Sequence, residues 1–91
     1  MRILLVDDEP QIIRALSINL RARGYDVRAA ATGAEALAAA AAQPPDVVIL
    51  DLGLPDMTGF QLITRVKGEI GLRKLPTIVY TGKQLSKREE A

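Results

Sequence analysis

Acidic side chains follow two apolar runs of the sequence, and these are the residues best suited to carry chemistry. Asp7 and Asp8 follow the run at residues 3–6, and Asp51 follows the run at residues 47–50. Carboxylate oxygens are the ligands that Mg²⁺ prefers, and a carboxylate can also attack phosphorus as a nucleophile. Carboxylates held close together repel one another unless a cation neutralises them. We therefore predict that these residues form a divalent-cation site.

The two runs are short, apolar and rich in β-branched residues, which is typical of strands buried on both faces. We predict strands at residues 3–6, 25–30, 47–50 and 75–80, and helices at residues 11–23, 33–42 and 58–67. Alternating strands and helices predict an α/β fold with a parallel sheet and right-handed crossovers. In such sheets ligands bind beyond the carboxyl ends of the strands, where the acidic residues lie.

Local signals indicate where the helices begin and which faces they bury. Thr32 and Glu35 have the spacing of a capping box, Thr58 is predicted to cap the third helix, and Asp8 or Glu9 the first. The residues expected to face inward are Ile12, Leu16 and Leu20 in the first helix and Phe60, Ile63 and Val66 in the third.

Composition excludes several functional classes. The 91 residues allow one small domain, and a net charge of +1 gives no strong attraction to nucleic acids or membranes. Cysteine and histidine are both absent, which excludes disulfides, thiol chemistry and a histidine base. Three aromatic residues are too few for base stacking. With no signal-peptide pattern or membrane-length apolar run, we expect a cytoplasmic protein.

Each candidate residue also has a plain structural interpretation. Asp7 and Asp8 could simply form a solvated turn with a helix cap, and Asp51 could be a loop or cap carboxylate. A threonine at a strand end, such as Thr81, is often only a turn former. Asp56 is expected to serve the loop before the third helix and to be structural.

Five collinear segments resemble the receiver domain of two-component response regulators. They are LVDDEP at residues 5–10, RGYDV at 23–27, ATGAEAL at 31–37, PDVVILDLGLPDMTG at 45–59 and LPTIVYTG at 75–82. Each segment alone is weakly specific, but together they cover nearly the whole chain. The resemblance implies a single receiver domain over residues 1–91, with a flavodoxin-like three-layer sandwich and a parallel sheet of order 2-1-3-4.

The resemblance also implies a function as a phospho-acceptor signalling module. Asp51 would accept a phosphoryl group from a sensor histidine kinase, and Thr81 would be the switch hydroxyl. Asp7, Asp8, Asp51 and the carbonyl of Gly53 would hold Mg²⁺. Such a module is a switch and not a turnover enzyme, with at most weak Mg²⁺-dependent autophosphorylation and dephosphorylation. Its output domain would lie outside this chain.

The sequence departs from the family because it stops before the family's fifth strand and helix, so we expect a domain that is incomplete at its C-terminus. The family lysine is absent, and Lys83 does not match it. We expect self-association through the fourth strand or through the first helix near Ile13 or Ile18, because an uncovered strand edge can pair with another chain.

Two other functional classes stay open from the sequence. One is a fold fragment, or an engineered or truncated interaction module, that keeps the architecture without switching. The other is a phosphotransferase or phosphatase of the haloacid dehalogenase type. That class carries a second aspartate two residues after the nucleophile, where this sequence has Gly53, so the enzyme interpretation is disfavoured.

Overall fold

Strands and helices alternate along the chain, as the sequence predicted. The computed structural model describes residues 1–80. Its elements are β1 (Arg2–Val6), α1 (Pro10–Ala22), β2 (Asp26–Ala30), α2 (Gly33–Ala42), β3 (Val47–Asp51), α3 (Gly59–Glu69) and β4 (Thr77–Tyr80). All strand pairs are parallel and the sheet order is β2-β1-β3-β4, which confirms the predicted topology.

Helices cover both faces of the sheet and make a three-layer sandwich. On one face, α1 packs on a small cluster formed by Ile3, Leu5 and Val27. On the other face, α2 and α3 pack on a larger cluster that includes Leu4, Val6, Val48, Leu50 and Leu62. Because both faces are covered, residues 3–6 of β1 and 47–50 of β3 are all apolar.

The alanine-rich helix α2 lies close to the sheet because its inward side chains are small. Ala36 and Ala40 are completely buried. Thr32 accepts a hydrogen bond from the backbone N–H of Glu35, which confirms the predicted cap. The Glu35 carboxylate accepts from the N–H of Ala31, one residue earlier than a standard capping box requires. Thr58 and Gln61 form a complete capping box on α3.

Two predictions about local structure were wrong, and a third was right only in part. The fourth strand begins at Thr77 and not at residue 75. The N–H of Leu75 donates a hydrogen bond to the carbonyl of Leu72, and Pro76 has no N–H to donate to a neighbouring strand. In α1 the side chain that packs with Leu16 and Leu20 is Ile13 and not Ile12. Glu9 is the N-cap residue of α1, but its side chain makes no capping hydrogen bond.

The inward face of α3 also differs from the prediction. Phe60 is 64% exposed, whereas Leu62 is 1% exposed and Val66 is buried. Ile63 is partly buried against the same cluster. The apolar residues of this segment fit two neighbouring faces of the helix, and the packing of Gly59 determines which of the two is buried. Gly59 lies directly against Leu50 of β3, so the helix face that carries Gly59 is the one turned toward the sheet.

None of the helices within residues 1–80 combines the length and the apolar character that crossing a bilayer requires.

Candidate functional site

The register of the sheet brings the acidic residues to one level. Val6 of β1 pairs with Leu50 of β3, so the residues that follow them, Asp7 and Asp51, emerge side by side at the carboxyl edge. The N–H of Asp7 donates to the carbonyl of Ala30 in β2, which extends the β1–β2 pairing to the acidic residue itself. Strand pairing thus fixes the backbone positions of Asp7 and Asp51 side by side.

Asp7, Asp8 and Asp51 form one cluster. An oxygen from each carboxylate lies within 4.8 Å of an oxygen from the other two. Asp7 is 1% exposed and Asp51 is 3% exposed, whereas Asp8 is more exposed than either. Burial of carboxylates this close together costs free energy in the absence of a compensating positive charge. The prediction that these acidic side chains converge at one place is therefore confirmed.

The loop after β3 is held against the strand end. The N–H of Gly53 donates to Oδ1 of Asp51 at 3.3 Å, which orients that carboxylate. Gly53 forms an antiparallel bridge with Thr58, and the N–H of Gly59 donates to the carbonyl of Leu52 at 3.0 Å. The backbone of Gly53, the predicted carbonyl ligand, is thereby held beside Asp51.

A tyrosine at the end of β4 joins the cluster. Tyr80 pairs with Asp51 across the sheet, and its hydroxyl donates a hydrogen bond to Oδ2 of Asp7. Oδ1 of Asp7 accepts a second hydrogen bond from the N–H of Glu9 at 2.8 Å. Burial raises the pKa of Tyr80 far above its usual range, and the Asp7 carboxylate raises it further. The Tyr80 hydroxyl therefore keeps its proton and acts as a donor.

The three aspartates of this cluster were predicted from the sequence, whereas Tyr80 was not. A signal for it was present, since Tyr80 has an aromatic body and a polar tip at the end of the strand next to β3. Thr81, the predicted switch hydroxyl, lies outside the described residues. Asp56 does not serve its own loop alone, because its carboxylate accepts hydrogen bonds from the N–H groups of Gly33 and Ala34 at the start of α2.

The donor set fits a hard divalent cation. Mg²⁺ takes oxygen ligands at about 2.1 Å in an octahedron, so opposite ligand oxygens lie about 4.2 Å apart. Adjacent ligand oxygens lie about 3.0 Å apart in the same octahedron. An oxygen from each of Asp7, Asp8 and Asp51 lies within 4.8 Å of the other two, so the three surround a space of the size of one ion with its ligand shell. Two buried carboxylates supply negative charge that such an ion would neutralise. The chemistry and the size of the cluster are both suited to Mg²⁺.

Several curated proteins are similar to this chain over most of its length. It is 64% identical over 66 residues to the transcriptional regulatory protein KdpE of Mycobacterium tuberculosis, covering 72% of this chain and 29% of KdpE. It is 41% identical over 81 residues to the probable transcriptional regulatory protein TcrX of the same species, covering 89% of this chain and 34% of TcrX. The chain thus spans about a third of the length of these relatives.

Solved structures give the same fold. The chemotaxis response regulator CheY4 of Vibrio cholerae superposes with a TM-score of 0.82 at 37% identity, covering 86% of this chain and 65% of that one. TrrA from Thermotoga maritima, solved in complex with Mg(2+)-BeF, superposes with a TM-score of 0.80 at 34% identity, covering 88% and 68%. A family model described as the response regulator receiver domain matches residues 3–91. The chain belongs to the response regulator receiver domain family.

Proposed function

We propose that this chain is the phospho-acceptor module of a two-component system and that Asp51 is the residue that takes the phosphoryl group. Membership of the receiver family supports the module, and one observation supports the residue. Asp51 stands at the carboxyl end of a central strand, with its carboxylate oxygens beside those of Asp7 and Asp8.

The proposed reaction is a transfer between two nucleophiles. A carboxylate oxygen of Asp51 attacks the phosphorus of a phosphohistidine, a P–O bond forms, and the P–N bond breaks. The imidazole leaves with the electron pair of that bond and takes up a proton. The Gly53 N–H supports this role, since its hydrogen bond to Oδ1 limits the rotation of the attacking carboxylate.

Asp7, Asp8, Asp51 and the Gly53 carbonyl are the proposed holders of Mg²⁺. A bound Mg²⁺ would neutralise charge on the carboxylates and on the phosphoryl oxygens. Mg²⁺ usually keeps several waters and takes only one or two carboxylates directly. Both oxygens of Asp7 accept hydrogen bonds from the chain, which suits contact through water. TrrA, a structural neighbour solved with Mg(2+)-BeF, supports this choice of cation.

The partners follow from the same proposal. A sensor histidine kinase supplies the phosphoryl group, Thr81 is the switch hydroxyl, and an output domain reads the change. The module works in the cytoplasm, without direct contact to nucleic acid or membrane, and it is a switch and not a turnover enzyme. The interpretation as a fold fragment that does not switch is not favoured by the family match.

Self-association is a separate part of the proposal. β4 is the outermost strand on its side of the sheet formed by residues 1–80, and Ile78 on that strand is 55% exposed. Ile18 on α1 is 63% exposed, whereas Ile13 packs against the core. The structure therefore favours β4 and Ile18 over Ile13. Sedimentation at several concentrations tests this, and Ile78→Lys should shift any dimer to monomer.

Labelling by a small phosphodonor tests the role of Asp51. The chain is incubated with acetyl phosphate and Mg²⁺, and intact-mass spectrometry detects the added phosphoryl group. We expect wild-type protein and Asp26→Asn to be labelled and Asp51→Asn to stay unlabelled. Asp26 is a suitable control because it is exposed at the opposite, amino edge of the sheet. Labelling of Asp51→Asn to the wild-type level would show that another residue is the acceptor.

A further inference from the structure

Each oxygen of Asp7 accepts a hydrogen bond from another group of the chain. Oδ1 accepts from the N–H of Glu9, and Oδ2 accepts from the hydroxyl of Tyr80. Each donor hydrogen carries partial positive charge and lowers the repulsion between Asp7 and the neighbouring carboxylates. The two donors therefore stabilise the cluster before any metal binds.

The two donors differ in their freedom to move. The Glu9 N–H belongs to the backbone at the start of α1, where the Glu9 carbonyl also accepts hydrogen bonds from Ile12 and Ile13. The Tyr80 hydroxyl is at the tip of a side chain that is only partly buried. If a cation, or a water bound to it, needs an acceptor position on Asp7, Tyr80 is the donor that can withdraw.

We propose that Tyr80 is a positioning residue whose hydroxyl holds Asp7 in the metal-free protein and releases it when a divalent cation binds. This inference rests on the proposed Mg²⁺ site and adds a link between that site and β4. The link joins residues 73 positions apart in the sequence. In the sequence, Tyr80 is the residue directly before Thr81, the proposed switch residue.

The hydrogen bond from Tyr80 to Asp7 also makes the site bind a cation more weakly than the same carboxylates would without it. In this proposal cation binding replaces the hydrogen bond from Tyr80 to a charged acceptor, and such bonds are among the stronger ones in proteins. Removal of the hydroxyl leaves the metal-free cluster less stable and the metal-bound cluster nearly unchanged. Tyr80→Phe should therefore bind Mg²⁺ more tightly than the wild type does.

The test compares wild type, Tyr80→Phe and Tyr25→Phe by calorimetric titration with MgCl₂ and by thermal unfolding. Tyr25 is the matched control because it lies at the amino edge of the sheet, away from the cluster. We expect Tyr80→Phe to bind Mg²⁺ about tenfold more tightly, with Tyr25→Phe unchanged. Without Mg²⁺, Tyr80→Phe should have the lowest melting temperature of the three proteins. Saturating Mg²⁺ should reduce the difference in melting temperature between Tyr80→Phe and the wild type.

A spectroscopic signal reports the release directly. The chain has two tyrosines, so ¹³C-tyrosine labelling gives two ring signals that Tyr25→Phe assigns. Addition of Mg²⁺ should shift the Tyr80 signal and leave that of Tyr25 in place. Equal or weaker Mg²⁺ binding by Tyr80→Phe, with normal binding by the wild type, would overturn the role of Tyr80 alone. A wild type that binds no Mg²⁺ would overturn the proposed metal site, and with it this inference.

Discussion

Asp56, in the loop after β3, caps the helix that Gly33 begins. Its Oδ1 accepts from the N–H of Gly33 at 2.8 Å, and its Oδ2 accepts from the N–H of Ala34 at 3.0 Å. The first N–H groups of a helix lack partners within the helix and form the positive end of its dipole. One carboxylate therefore ties the loop that carries Gly53 to α2.

We predict that Asp56→Asn destabilises the domain in a pH-dependent way. The hydrogen bonds from Gly33 and Ala34 lower the pKa of Asp56 below its ordinary value of 3.8. A carboxylate with a lowered folded-state pKa contributes stability that is fully present above the unfolded pKa and is lost as pH falls through the folded one. The difference in free energy of unfolding between wild type and Asp56→Asn should be present at neutral pH and shrink below pH 3.8.

Urea unfolding at a series of pH values measures that difference, with Asp26→Asn as the control for loss of an exposed carboxylate. Asp26 is an exposed carboxylate at the start of β2. A constant difference across the acidic range would mean that Asp56 acts through packing and not through its charge.

The caps illustrate which contacts could be predicted from the sequence. The pairs Thr32–Glu35 and Thr58–Gln61 lie three residues apart, so a local rule finds both of their threonine caps. Asp56 and Gly33 are 23 residues apart and meet only because α2 and α3 pack on the same face of the sheet. A rule based on neighbouring residues in the sequence therefore could not predict that contact.

We predict that Gly59→Ala destabilises the domain by about 1–3 kcal/mol, the usual cost of overpacking. An added Cβ would lie 2.5 Å from Cδ1 of Leu50 and 3.0 Å from the Cα of Leu52, so the backbone itself would have to shift. Gly68→Ala is the matched control in the same helix, because a Cβ there would meet nothing within 4 Å. The control should gain about 0.5–1 kcal/mol from the loss of glycine's flexibility.

Chemical denaturation of both variants gives the comparison. Equal stability of Gly59→Ala and Gly68→Ala would contradict the close packing of α3 on β3. Because Gly59 also holds the loop that carries Gly53, Gly59→Ala should bind Mg²⁺ more weakly than Gly68→Ala does.

We predict that Ser17→Ala stabilises the domain by about 1 kcal/mol. Ser17 is 5% exposed in α1, and its hydroxyl has no hydrogen-bond partner in the described part of the chain. An unpaired buried hydroxyl costs free energy, and alanine has the higher helix propensity. Thermal unfolding of Ser17→Ala and Ser17→Thr separates the hydroxyl from the packing, since threonine keeps the hydroxyl. A stabilised Ser17→Thr would argue against this explanation.

The acidic cluster could be predicted from the sequence because strand ends of a parallel sheet share one edge. Asp7 and Asp51 each follow a buried strand, and strand order alone brings them together. The contact of Tyr80 with Asp7 could not be predicted in this way. It depends on the length of one side chain and on the position of Tyr80 in β4, a strand whose beginning was predicted two residues too early.

The sequence did not determine which face of α3 packs on the sheet, and a pair of alanine variants tests the face seen in the structure. Apolar residues at 60, 62, 63 and 66 fit two faces of a helix, so periodicity alone could not choose between them. The close approach of Gly59 to Leu50 places Gly59, Leu62 and Val66 on the buried face. Leu62→Ala should therefore cost about 2–5 kcal/mol, whereas Phe60→Ala should change the free energy of unfolding by about 0.5 kcal/mol or less. Urea denaturation measures both, and a larger loss for Phe60→Ala would mean that α3 presents the opposite face to the sheet.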